Sequence, residues 1–206
     1  METKSCNIRR MVPKIVDDPA EISKCFSNLL SLTLDAASIS KDAGLEADCF
    51  IDAWKHGTRI KNAVDLKVSQ ASQELADLSF SQPEQQQSAS ADLDIKETIS
   101  QFFCSIDQIV QNIESAEVTH FNAMKVLPGV DIRNNGRISS YKIASPDQDP
   151  SSQAAIDVWS TLRRLREASE KISMAKTGGS YQVIDGVHTG CTGTIDLRGS
   201  LLKLLS

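Results

Sequence analysis

Aromatic side chains are scarce in this chain, 5% of its residues. Any core must therefore be assembled mainly from Leu, Ile, Val and Ala. Cysteines are few and unpaired in pattern. Cys6, Cys25, Cys49, Cys104 and Cys191 are odd in number, widely scattered and without a C-x-x-C pair. That argues against a disulfide framework and suits reduced thiols, so the expected location is cytoplasmic. No apolar run approaches the roughly 20 residues needed to cross a bilayer. The opening METKSCNIRRMVPKIVDDP has early positive charge but lacks the apolar stretch of about 7–15 residues that marks a secretory signal. Basic residues are in deficit. A formal net charge of −5 argues against a general nucleic-acid binder, which needs Lys and Arg to displace phosphate counterions.

What is present is ordinary for a soluble globular chain: 206 residues, 40% hydrophobic and 24% charged, enough for one medium core. Asp18-Pro19-Ala20-Glu21 supplies an N-cap acceptor, a proline at the first helical position and a carboxylate three residues after the cap. Ile22, Cys25, Phe26, Leu29, Leu32, Thr33 and Ala36 then recur on one face, which predicts a helix ending near Ser40 to Gly44. A second helical pattern runs from about Leu45 to Leu78. Leu45, Cys49 and Trp54 open it, and Ile60, Val64, Val68, Ala71, Leu75 and Leu78 continue it. His56-Gly57 in its middle predicts a kink or short break, because Gly costs about 1 kcal/mol relative to Ala inside a helix. Cys25, Cys49 and Cys104 sit among apolar helical positions, where free Cys behaves as a small buried hydrophobe.

SFSQPEQQQSASAD (79–92) reads as a polar linker. From Asp94, with Glu97 completing a second capping-box match, Ile95, Ile99, Phe102, Ile106, Ile109, Ile113 and Ala116 form an a/d seam over three heptads. Such a seam suits packing within one chain's bundle and also suits coiled-coil self-association. Leu127-Pro128-Gly129 stops this helix. In 130–150, Asn135-Gly136 suits a two-residue type I′ turn, so a small hairpin and an irregular loop both fit. A fourth helix is expected over about 152–176, with Ala155, Trp159, Leu162, Leu165, Ile172 and Ala175 on its apolar face. Gly178-Gly179 terminates it.

The C-terminal GSYQVIDGVHTGCTGTIDLRGS is punctuated by glycine and leans toward β structure. It lacks the lysine of a phosphate-cradling G-x-x-x-x-G-K-[ST] loop and has no G-x-G-x-x-G. His188 and Cys191 have the H-x-x-C spacing of half a zinc site, but no second local pair completes the four ligands of structural zinc. The same couple is the only local Cys/His arrangement that could support a cysteine-dependent enzyme. His56, His120 and His188 lie in no recognisable nucleophile motif. Arg163, Arg164 and Arg166 make one basic concentration, read as a solvated face paired with Glu167 and Glu170. Alternation in Tyr181-Val183 and Ile195-Leu197 supports short extended segments that either dock on the helical body or pair with another chain. SLLKLLS is too short to anchor stably in a membrane by itself.

DDPAEISKCFSNLLSLTLDAASI (17–39) is similar to the second helix of helical N-terminal domains found in many fungal proteins ahead of signal-transducing NTPase or repeat modules. STLRRLREASEKISMAKTGGSYQVIDGVHTG (160–190) resembles their late helix and the extended segment after it. The apolar opening helix of those domains has no counterpart in METKSCNIRRMVPKIV. The resemblance implies a helical signalling or self-association module and carries over no catalytic residue.

These readings converge on a mainly α protein: an antiparallel bundle of about four helices with a short β-leaning C-terminal extension. The expected layout is an N-terminal arm (1–17), a helical domain (18–177, with 79–92 and 128–151 as connections) and a Gly-rich extension (178–206). The expected function is non-enzymatic self- or partner association in the cytoplasm. Ile99, Phe102, Ile106, Ile109, Ile113, Tyr181 and Val183 are its candidate contact residues. No catalytic or metal residue, cofactor or nucleic-acid partner is assigned. The alternatives are a small enzyme using Cys191 and His188, and a membrane-active helical domain whose apolar faces enter lipid on oligomerisation.

Overall fold

The computed structural model describes residues 13–42, 45, 48–76, 89–125, 130–132, 141–143, 150–179, 181–184, 187–190 and 195–206. Within these the protein is mainly α. In chain order the elements are α1 (Pro19–Asp42), α2 (Asp48–Ala76), α3 (Ala89–Lys125), β1 (Val130–Ile132), β2 (Tyr141–Ile143), α4 (Pro150–Ala175), β3 (Tyr181–Ile184), β4 (Val187–Gly190) and α5 (Leu197–Leu204).

α1 starts where its cap chemistry directs. The Asp18 carboxylate accepts from the Ala20 N–H at 3.0 Å and the Asp18 carbonyl accepts from Ile22 N–H, with Pro19 at the first helical position. Its inward stripe is the expected one: Ile22, Phe26, Leu29, Thr33 and Ala36 are buried, with Cys25 and Leu32 packed at the margin. Buried Thr33 donates its hydroxyl back to the Leu29 carbonyl, so its polar atom is satisfied.

α2 runs unbroken through Gly57, against the expected kink. The glycine is there for space. A Cβ on Gly57 would lie 2.6 Å from Leu30 Cδ1 and 3.0 Å from Phe102 Cε2, so α1 and α3 approach α2 where it has no side chain. The buried stripe of α2 is Phe50, Ala53, Gly57, Ile60 and Val64. Trp54, expected to open the apolar face, is turned outward by one residue, about 100° of helix rotation.

α3 begins at Ala89, ahead of Asp94 and within the expected linker. Asp94 is therefore no N-cap; its carboxylate pairs with Arg59 of α2. The seam is buried from Ile99 on: Ile99, Phe102, Ile106, Ile109 and Ile113 have 0% exposure, while Ile95 at its start is only partly buried. Phe102 lies tilted against Phe26 with centroids 5.2 Å apart and meets Phe103 edge-on at 5.5 Å, the latter a geometry that aromatic quadrupoles favour.

Side-chain registers fix the directions. Gly57 meets Leu30 while Ser23 reaches Asp65, so α1 and α2 run oppositely. Cys49 with Asn112 and Arg59 with Asp94 make α3 antiparallel to α2. Lys176 with Asp107, and Arg166 beside Glu117, make α4 antiparallel to α3. α4 also lies against α1, so each long helix has two antiparallel neighbours around one core.

α4 ends in a Schellman motif. Gly178 has φ +65°, its N–H donates to the Ala175 carbonyl, and Gly179 N–H donates to that of Met174, both at 3.0 Å. β1 pairs with β2 in antiparallel register, Ile132 opposite Tyr141. Asn135, Gly136 and the predicted stop at 127–129 lie outside the described residues. β3 and β4 form a second antiparallel pair, with Val183 opposite His188.

The end of the chain departs from the expected β lean. Ile195 makes a single parallel bridge to Lys14, and residues from Leu197 onward are helical. Asp196 caps this helix, its Oδ1 accepting from Gly199 N–H at 2.9 Å. Leu197, Leu201 and Leu205, four residues apart, are buried in the core. Alternating apolar residues at 195 and 197 suggested a strand; the cap at Asp196 and the four-residue leucine spacing beyond it set a helix instead.

Candidate functional site

The five seam residues named as contact candidates, Ile99, Phe102, Ile106, Ile109 and Ile113, lie inside the chain's own core. Being fully buried, they offer no surface to a partner while the bundle is closed. The intramolecular alternative for this seam is the one the structure adopts. Tyr181 and Val183 lie in β3, and their side chains fall outside the described ones. His188 lies in β4, while Cys191 is outside the described residues, so the Cys191/His188 couple has no geometry here.

A concavity of about 550 Å³ lies between α2 and α3. α2 contributes Asp48, Cys49, Asp52 and His56, which share one helix face; α3 contributes Gln101, Cys104, Ser105, Gln108 and Asn112. The antiparallel register thus brings into one groove three Cys and His side chains that are distant in sequence. Part of the lining is already engaged. Asn112 Nδ2 donates to Cys49 Sγ at 3.6 Å, Gln108 donates to Asn112 at 2.9 Å, and Gln101 donates to Glu97 at 3.0 Å. His56 Nδ1 is buried with no hydrogen-bond partner among the described residues. No group of three His, Cys, Asp or Glu side chains able to hold a metal occurs among the described residues.

Burial pushes the Cys25 thiol up, Glu21 adds to the rise and Lys24 partly offsets it, the reverse of what thiolate chemistry requires. Cys104 is exposed. The basic concentration of α4 is partnered as expected: Arg163 pairs with Glu167 at 3.0 Å and Arg166 with Glu170 at 3.1 Å. Arg164 lines a smaller cleft against α1 with Asp35, Glu167 and Lys171. His120 is half-buried, its Nδ1 2.9 Å from the Ala116 carbonyl. No helix among the described residues is long and apolar enough to cross a membrane.

An apolar surface among the described residues is left uncovered on α1 and α2. Leu34, Ile51 and Trp54 are 43%, 47% and 47% exposed. The register that sets Leu30 at Gly57 and Ser23 at Asp65 brings Leu34 level with Trp54 across the α1–α2 seam, with Ile51 one turn from Trp54 on α2. Together they present on the order of 300 Å² of apolar area, the size at which a patch begins to mark a contact surface. The sequence held one signal for it: Trp54 directly follows Ala53 of the Phe50–Ala53–Gly57–Ile60 stripe, so the two cannot share a face.

Compared with known protein families, curated proteins and solved structures, the chain matches none of them.

Proposed function

We propose that the chain is a non-enzymatic helical module that acts by protein contact, with a second copy or with a partner, through the Leu34–Ile51–Trp54 face. The observation that carries this reading is a half-exposed tryptophan flanked by two half-exposed aliphatic residues, in a chain with only two tryptophans. Tryptophan is enriched among the residues that dominate binding energy. The patch falls short of the about 800 Å² per partner of a stable interface, so it forms the centre of a contact that polar neighbours complete. A signalling role, and kinship with fungal helical N-terminal domains, belong to this proposal. Their support is the likeness of 17–39 and 160–190, the second of which spans a late helix followed by a short strand pair.

The test is light scattering of the full chain over a concentration series, alongside a photo-crosslinking residue at position 51 in cells. Apparent mass that rises with concentration, or discrete adducts at position 51, supports the reading, provided Trp54→Glu abolishes the effect with an unchanged helical spectrum. A monomer at every concentration with no adduct overturns it.

A further inference from the structure

The two ends of the described chain meet at one end of the bundle. From the arm preceding α1, the Lys14 carbonyl accepts from Asp196 N–H at 2.8 Å, Val16 N–H donates to Ser200 Oγ at 2.9 Å, and Asp17 pairs with Lys203 at 2.7 Å. Among the described residues, every hydrogen bond and ion pair that Pro13–Asp17 makes to a distant part of the chain ends on 195–203. The arm has little packing of its own: Ile15 is 54% exposed and only Val16 rests on the core.

The opposite dependence is weak. α5 inserts Leu197, Leu201 and Leu205 among α1, α2 and α3. It also has attachments that owe nothing to the arm: Ile195 N–H donates to the Thr177 carbonyl at 3.2 Å and Arg198 reaches Ser100 at 3.3 Å. Ile195 further packs where Gly178 has no side chain. With eight residues, α5 is well below the about 12–15 at which a helix holds together in water, so undocking it also melts it. Buried Ser200 joins the two parts, accepting from Val16 N–H while donating to the Asp196 carbonyl at 2.7 Å.

We propose that the arm and α5 form a hierarchical latch over this end of the bundle. The arm releases with α5 still seated, whereas α5 cannot leave without freeing the arm, and the latch opens while the four long helices stay folded. Its opening uncovers the apolar end of α1, α2 and α3, a site shaped for a short helix with leucines at four-residue spacing and occupied here by the chain's own α5.

Site-resolved amide exchange on the full chain tests this, because the Val16, Asp196 and Leu205 amides report the arm, the junction and the helix separately. Asp17→Lys, which sets two lysines against each other at the surface, is expected to speed exchange at Val16 severalfold and leave Leu205 unchanged. Leu201→Ala is expected to speed Val16, Asp196 and Leu205 together by at least tenfold, with Ile106 and Ile109 unchanged. Equal acceleration of Leu205 in Asp17→Lys would show that the arm holds the helix, and overturns the hierarchy. Acceleration of Ile106 as large as that of Leu205 in Leu201→Ala would make the end part of one global unit. Should Leu201→Ala not fold, the same comparison is made in Leu205→Ala, a smaller loss at the helix terminus.

Discussion

Gly57 faces Phe102 so closely that a Cβ on the glycine would stand 3.0 Å from the ring and 2.6 Å from Leu30 Cδ1. Two effects oppose each other at this position. Ala in place of Gly gains about 1 kcal/mol of helix propensity, while forcing a methyl into a filled core costs about 1–3 kcal/mol. Leu30 can turn its terminal methyl aside, but the Phe102 ring is wholly enclosed. Gly57→Ala is therefore expected to lose about 1 kcal/mol net in denaturant unfolding, with helical content unchanged. Adding Leu30→Ala should cost less than the sum of the two single changes, because the second makes room for the first. Gly57→Ala stabilising the protein would refute the close approach.

Ile106 and Ile109 carry the centre of the bundle and are completely enclosed. Truncating either to Ala removes buried methyl groups and leaves a cavity, at about 2–5 kcal/mol each. Chemical denaturation should show that loss for both, whereas Val118→Ala on the same helix, at 60% exposure, should stay within about 0.5 kcal/mol. Comparable small effects at all three positions would mean that the seam faces water.

Thiol labelling should separate Cys104 from Cys25. Cys104 is exposed on α3, while Cys25 is half-buried beside Glu21 with its thiol held above the ordinary value by burial first and that carboxylate second. Maleimide modification near neutral pH, followed by mass spectrometry of peptides, should modify Cys104 well before Cys25. Cys25 reacting as fast as Cys104 would contradict both its packing and its charge environment.

Glu117 gives a pH signature. Burial raises its carboxyl above the ordinary carboxylate value; Arg166 opposes this, and Glu170 and Glu114 add to it. The native state then binds a proton more readily than the unfolded chain, so this group's contribution to stability falls as pH rises from the ordinary value through the raised one. Glu117→Gln cannot ionise and escapes that loss. Its melting temperature relative to the unaltered protein should be highest near neutral pH and should decline as pH is lowered toward about 4. A difference that is constant across this range would show that Glu117 is solvated normally.

Much of the helical frame was legible from local rules. Asp18-Pro19 opens α1 because a carboxylate and a proline both favour that junction in any context. Gly178 ends α4 because the chain must take a positive φ there. The Ile99–Ile113 seam was readable for the same reason, since one stripe at helical period has to be buried. Position 57 was misread because propensity registers only the cost of glycine, while the benefit lies on two other helices. Trp54 was misread because Leu45, Cys49 and Trp54 imitate a stripe whose true members are Phe50 and Ala53.

The sequence alone thus determined where the long helices lie and that α3 must bury one whole edge, because caps, glycine stops and apolar periodicity act within a few residues of themselves. Which surface remained exposed, that Cys49, His56 and Cys104 share a groove, and that residues 14–17 are held by 195–203 were decided only by the tertiary fold. Each of these joins segments far apart in the chain, and such pairings follow from how helices rotate and register against one another.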